Sequence, residues 1–364
     1  MLRPTSRHTE PEDGAGHGAG AEIPAAASAS DMAGALAAPQ SVRPERRGWL
    51  PRRLTRVLNA LKQLGFACIS IIALVVIFSF ANPRFISGVN WYHIAQQVAV
   101  IAILAVGQTY VIATAGIDIS QGSVVALCTM VCALCSVALG LPTVVCVVVT
   151  LITGGLVGLV MGLTITVLDV PPFIATLGML AAALGAALLT TNGTPVFGLP
   201  DGMLAISQGN FLGFPHMAWI ALVLAVIGAF VLNRTRFGRY TLAIGSNAES
   251  ARRAGIDVKR HLNLVYILTG VTSAIAGVVF VSYTAAAQPT SGGNLELYAI
   301  AAVVIGGGSL FGGVATITGS ILGALLMTIL RNGSQLAGIS PYVEQVVLGA
   351  VVVGAVYVDN LRRR

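Results

Sequence analysis

The sequence predicts an all-α, polytopic membrane protein of about ten transmembrane helices, with both termini cytoplasmic and broken helices in the core. Three observations carry that prediction. Apolar residues make up 55% of the 364-residue chain and charged residues only 10%, where an ordinary soluble domain carries about 25% charged residues. Apolar runs of bilayer length, about 20 residues each, recur along the sequence. The positive charges are sorted: nineteen of twenty-one Lys and Arg residues lie at or before Lys62, between Arg234 and Arg260, or at Arg362, Arg363 and Arg364.

Residues 1–48 come first and differ from the rest. They are rich in Ala, Gly, Pro and Ser without apolar periodicity, and cannot bury enough surface to offset their ordering entropy. A disordered cytoplasmic tail is expected. No apolar core follows its early arginines, so it does not read as a signal peptide. Residues 49–63 form a basic juxtamembrane segment, favoured beside an anionic leaflet. The transmembrane domain then runs over 64–361, with apolar spans near 64–82, 92–114, 120–139, 142–166, 172–191, 216–233, 262–284, 296–316, 317–333 and 342–358. If the chain starts inside, six spans return it to the cytoplasm at 234 and four more end it there. Span parity and the positive-inside bias agree.

Several spans are built for close contact. Gly154, Gly158 and Gly162 share one helix face and let another backbone approach; Gly319 and Gly323 repeat the device. Gly306-Gly307-Gly308 and Gly312-Gly313 are dense enough to break a helix, since each interior Gly weakens it by up to about 1 kcal/mol relative to Ala. Pro171-Pro172 opens the fifth span, where the missing amide hydrogens cost nothing. Trp91, Tyr92, His216 and Trp219 lie at span ends, where amphipathic rings anchor at the headgroups. The five cysteines all sit in apolar segments and read as small packing residues, with no disulfide framework implied.

Polar groups inside an apolar chain need a reason. Gly116 to Ser123, GIDISQGS, joins the second and third spans. Asp118 or Ser120 can cap the third span, or Asp118 can line a solute path. Gln108, Thr109, Thr114, Thr176, Asn192, Glu296, Glu344 and Gln345 are the other polar groups within spans or at their ends. Neutral amides and hydroxyls suit an uncharged, hydroxyl-rich solute. An ion-coupled carrier needs carboxylates or His deep in several spans, and Asp118 and Glu344 are the main candidates. Gln108, Asp118, Phe173, Thr176 and Asn192 are the expected path or gate residues.

The polar loop 234–261 carries seven of the Lys and Arg residues. Asn247 is a strong N-cap, Ala248 to Ala254 are mostly helix formers, and Gly255 supplies the left-handed position beyond the end. Glu249 falls near the positive end and Arg252-Arg253 near the negative end of the helix dipole. So short a helix is marginal alone in water and requires a partner surface. Anionic lipid is the plainer alternative partner.

Glu249-Ser250-Ala251-x-x-x-Gly255 resembles the EAA-x-x-x-G loop of permease subunits in ATP-binding cassette importers, with Ser250 in place of Ala and without the distal Leu-Pro. GIDISQGS at 116–123, PPFIATLGML at 171–180, the segment 235–260, ELYAIAAVVIGGGSLFGGVATITGSILGALL at 296–326 and the closing VVVGAVYVDNLRRR extend the likeness over about 60–364. As a set they resemble the ribose-type monosaccharide permease family. That resemblance implies a bacterial plasma-membrane subunit with no bond chemistry of its own, paired with a second permease copy in a homodimer. It also implies a separate ATPase subunit that binds ATP and Mg, and an extracytoplasmic sugar-binding protein. No cofactor on this chain and no nucleic-acid partner is expected, only membrane lipid besides. The sequence agrees in one respect: only Lys62 and Lys259 occur, and neither closes a phosphate loop. The ATPase-coupling residues are expected at Asn247, Glu249, Ala251, Arg252 and Gly255. A branched-chain amino-acid permease of the same architecture and an ion-coupled secondary carrier are the alternatives.

Overall fold

In lipid every backbone polar group must be satisfied within the protein, and this chain does so with helices. The computed structural model describes residues 52–361; the tail 1–48 and residues 49–51 of the basic segment 49–63 lie outside the described residues, as do the closing arginines. In chain order the helices are α1 (Arg52–Ala81), α2 (Gly88–Ala113), α3 (Gln121–Ala133, continued by a π turn over Leu134–Ala138), α4 (Thr143–Thr166) and α5 (Pro172–Leu189). There follow α6 (Asp201–Gln208), α7 (His216–Arg234), α8 (Arg236–Ser246), α9 (Ala248–Arg253), α10 (Val258–Thr284), α11 (Leu295–Ile305), α12 (Ile317–Leu336) and α13 (Pro341–Leu361).

Among the described residues, seven helices are long and apolar enough to cross a membrane: α2, α3 with its π turn, α4, α5, α7, α10 and α13. The remaining expected spans fall on Ala67–Ala81 of α1, on α11 and on α12. One expected span needs correcting. The run 296–316 is helical only to Ile305. The cause is local: Gly307, Gly312 and Gly313 take positive φ of 94°, 83° and 78°, a region nearly closed to side-chain-bearing residues. The glycines that weaken the sequence as a helix are the ones that end it.

Helix α2 is the axis of the bundle, with 83% of its apolar window buried against 22% for α5 and 12% for α13. It packs on α7, α10, α11 and α12, and Ile101, Leu104, Ile112, Ile300 and Met327 lie in the resulting core. The faces left outside are also apolar, with Phe80, Val144, Leu189 and Val346 exposed. That is the pattern lipid imposes as solvent.

The glycine face of α4 does what its spacing predicts. A Cβ on Gly154 would strike the carbonyl of Gly270 on α10, one on Gly158 the carbonyl of Tyr266, and one on Gly162 the side chain of Asn263. On α12, Gly319 and Gly323 stand in the same relation to the carbonyls of Gly306 and Ala302. At the end of the bundle away from α8 and α9, β1 (Val196–Phe197) pairs antiparallel with β4 (Ala286–Ala287), and β2 (Asn210–Phe211) with β3 (Phe214–Pro215). Leu212 and Gly213, at φ 54° and 82°, make the tight β2–β3 turn, whose handedness suits twisted strands.

Candidate functional site

The loop between α7 and α10 folds as two helices. Thr235 caps α8 by accepting from the Gly238 N–H. Asn247 then leaves helical geometry at φ −165°, ψ 103°, and its side-chain oxygen accepts from the Ser250 N–H at 2.8 Å. At the other end of α9 the Ile256 N–H donates to Ala251 and the Gly255 N–H to Arg252, at 3.1 and 3.0 Å. This pair of bonds closes the helix in a Schellman motif, with Gly255 at φ 83° as the sequence expects. Both ends of a six-residue helix are therefore capped.

Ala251 faces inward, only 5% exposed, packed with Ile244 and Val258 and flanked by Ile256 and Leu262. It seats the helix from beneath and does not present a contact. Glu249 is exposed and pairs with Arg253 at 3.1 Å and Arg252 at 3.8 Å. The outward surface of α9 thus carries two arginines for one carboxylate.

Contacts run from this loop into the axis of the bundle. Gly245 of α8 has no room for a Cβ between Ala113, the last residue of α2, and Gly313; the Gly313 N–H donates to the Ala113 carbonyl at 3.0 Å. Thr241 and His261 Nε2 are 2.9 Å apart, and the His261 ring lies 4.6 Å from that of Phe237. Phe237 in turn meets Tyr110 of α2 at 5.8 Å. In the same neighbourhood Asp359 of α13 accepts from the Ser309 hydroxyl and the Leu310 N–H, at 3.0 and 3.2 Å. Movement of α9 and α8 has a packed route to α2 and to the broken segment 306–316.

Of the expected path residues, Gln108, Asp118 and Thr176 are buried within this chain. Asp118 sits where α2, α3, α4, α5 and α10 converge. Its Oδ1 accepts from the Ser120 N–H at 2.9 Å and from the Ser120 hydroxyl at 2.6 Å. That hydroxyl also lies 3.3 Å from the sulfur of Met161, and Thr176 donates to the Ile117 carbonyl at 3.2 Å. The side chain of Ser120 makes no capping bond to α3. Asp118 holds the turn before α3, so the helix-capping reading is replaced by an Asx turn. Phe173 lies on the outside of α5, 54% exposed, and Asn192 is in an exposed turn at φ 52°. The structure does not bring these two to the buried centre.

Gln121, Tyr266 and Ser273 join this centre without having stood out in the sequence. Each has a buried polar atom without a partner, as do Gln108 and the Oδ2 of Asp118. Gln121 lies within GIDISQGS and its amide donates to the Leu104 carbonyl at 3.3 Å. Tyr266 carries no sequence signal; its hydroxyl reaches the centre because Gly116 leaves space beside it. Among the described residues no group of His, Cys, Asp and Glu is disposed to hold a metal.

The Asx turn yields a test. Asp118→Asn keeps an acceptor for Ser120, whereas Asp118→Leu leaves buried donors unpaired, at a cost of about 1–3 kcal/mol. The Asn variant should be recovered from membranes at near wild-type yield and melt normally. The Leu variant should yield less and melt earlier, read by size-exclusion chromatography after graded heating.

With this geometry in place, comparison with known proteins is specific. Residues 90–356 match the family model described as branched-chain amino acid transport system / permease component. The chain is 39% identical over 301 residues to the ribose import permease protein of Escherichia coli K12, covering 81% of this chain and 93% of that one. It is 40% identical over 290 residues to the ribose import permease protein of Bacillus subtilis 168, covering 79% and 89%. It is 34% identical over 289 residues to the D-allose transport system permease protein of Escherichia coli K12, with the same coverages. No solved structure matches it.

Proposed function

We propose that this chain, which belongs to the branched-chain amino acid transport system / permease component family, carries a ribose-like pentose or a hexose through the bacterial plasma membrane. It does so as the permease subunit of an ATP-binding cassette importer, with the solute delivered by an extracytoplasmic binding protein. ATP and Mg belong to a partner ATPase, and two copies of this chain form a homodimer.

The observation that carries the reading is α9. A six-residue helix, capped at both ends and seated on Ile244 and Val258, presents Glu249, Arg252 and Arg253 outward. Behind it lies the packed route through Gly245 and Ala113 to α2. A partner that changes shape on nucleotide binding would displace α9 as a unit. Asn247, Glu249, Arg252 and Gly255 form or frame that contact, and Ala251 supports it. The interior then shifts between two discrete packings, the usual basis of a switch.

Gln108, Asp118 and Thr176 are the inner gate in this reading. Phe173 on α5 and Asn192 in the turn after it act at the exposed side of the chain, where Gly178 and Gly185 of α5 have nothing within 4 Å and a second copy can approach. A branched-chain amino acid, which the family description mentions, is a zwitterion. The buried centre offers mainly amides and hydroxyls. Its carboxylates, Asp118 and the half-buried Glu296, have no buried Lys or Arg among the described residues to match them, and it favours a neutral polyol over a zwitterion.

The experiment is reconstitution of this chain in liposomes with its partner ATPase and binding protein. ATP-dependent uptake of labelled D-ribose or a related monosaccharide is expected, with native mass spectrometry showing two permease copies. Uptake driven by an ion gradient without the ATPase, or uptake of leucine in preference to any sugar, would overturn the reading.

A further inference from the structure

Toward the end of the bundle opposite α8 and α9, the last turns of α10 and α12, the first turn of α11 and the third and fourth turns of α2 line a partly open cavity of about 190 Å³. Gln97, Thr284, Arg331 and Gln335 supply its polar lining, and Phe280 and Tyr283 supply aromatic rings. Its position follows from α2. Ala113, at the α8 end, and Gln97 are sixteen residues apart (113 − 97), about 24 Å along a helix.

The lining has an unmet need. Gln97 Oε1 is buried without a hydrogen-bond partner, a state rarely left uncompensated in native proteins. Arg331 is one of only two basic residues outside the three clusters that the membrane charge rule explains, so it has another role. Its Nε lies 3.5 Å from Glu344, which also accepts from the Tyr298 hydroxyl at 2.5 Å. Its guanidinium lies over the Tyr298 ring at 5.4 Å. Glu344 therefore balances the charge of Arg331 while leaving the side chain at the cavity.

The result is a mixed lining: four polar side chains whose one charge, on Arg331, is offset by Glu344 behind it, beside aliphatic residues and two aromatic side chains. A cation meets Arg331, and an anion finds that guanidinium already paired with Glu344 behind it. A neutral molecule with several hydroxyls, each able to donate and accept, satisfies Gln97 and Gln335 and can rest its C–H face on a ring. The cavity is smaller than the roughly 300 Å³ at which pockets for drug-sized ligands begin, which suits one sugar ring and excludes two.

We propose that this cavity is a docking subsite for a single monosaccharide on the side remote from α9. The proposal rests on the sugar-import reading above. It adds a place within one copy of the chain where the solute pauses after release by its receptor.

Two measurements on the complete reconstituted transporter test it. Gln97→Leu and Gln335→Leu should each raise KM for D-ribose uptake about fivefold, the loss of one or two neutral hydrogen bonds, with basal ATP hydrolysis unchanged. In a Cys68→Ala background, Thr284→Cys should react with a small maleimide, and D-ribose, D-allose or D-galactose at millimolar concentration should slow that reaction while maltose does not. Wild-type KM in both Leu variants, a Thr284→Cys thiol that never reacts, or one that no monosaccharide protects would overturn the subsite. Failure of the import reading is distinguishable, because the unsubstituted complex would then take up no sugar. Should the Leu variants fold poorly, thiol protection alone decides the matter.

Discussion

Leucine at Gly158 should remove most of the folded protein from the membrane, while leucine at Gly155, three residues earlier on the same helix, should not. The difference lies in what each Cβ meets. At Gly158 it would strike the carbonyl of Tyr266 and press on Ile267 Cα; at Gly155 its nearest neighbour is the Val271 side chain at an ordinary 3.6 Å. A side chain can turn away, but backbone cannot. Gly154 and Gly270 also exclude a Cβ on each other's carbonyls, so α4 and α10 have no slack above Gly158 either. Overpacking a fitted core costs about 1–3 kcal/mol, and here relief requires separating two whole helices. Tyr266 would move with α10, and so would His261, which meets Thr241 at 2.9 Å. The expected result is a large fall in monodisperse protein for Gly158→Leu, with Gly155→Leu close to wild type, measured by size-exclusion chromatography of membrane extracts. Equal recovery of the two would show that the α4–α10 seam does not hold the bundle together.

Much of this architecture can be read from the residues, because lipid leaves few options. The bilayer forces helices, so apolar run length locates α2, α4, α5, α7 and α10 to within a few residues. Glycine spacing names the α4 and α12 faces, since a backbone approach has no other economical residue. Caps are local, which is why Asn247 and Gly255 emerge at the expected positions. The site is less legible for the opposite reason. The 116–121 segment and the Tyr266 hydroxyl come together through the convergence of several helices, and sequence separation hides that meeting. Phe173 and Thr176 lie within one turn of α5, yet Thr176 is buried and Phe173 is exposed, a difference set by what packs on α5 and not by helical spacing. The run 296–316 shows a further limit: hydropathy averages over glycines whose positive φ ends the helix at Ile305.

Valine at Gly255 and arginine at Glu249 should each reduce ATP-driven uptake at least tenfold while the ATPase continues to hydrolyse ATP. Gly255 holds φ 83° and has open space around its Cα, so the penalty for valine is conformational and not steric crowding by neighbours. A left-handed backbone costs an L-residue roughly 1–2 kcal/mol, and more for a β-branched one. Relief is available only by opening the Schellman bonds from Gly255 and Ile256. That frays α9 without disturbing the spans, because the helix is held to them by little more than Ile244, Ala251 and Val258. Glu249→Arg acts differently: the fold remains, but the outward face changes from one carboxylate with two guanidinium groups to three guanidinium groups. Arg253→Ala is the control. It removes an exposed i,i+4 pair worth only about 0.3–0.5 kcal/mol, and its thermal stability should match wild type. A stability explanation would rank the variants by melting temperature, whereas mechanical coupling ranks them by uptake per ATP hydrolysed. If Gly255→Val and Glu249→Arg both retain wild-type uptake per ATP, α9 rests on lipid and the ATPase engages the permease elsewhere.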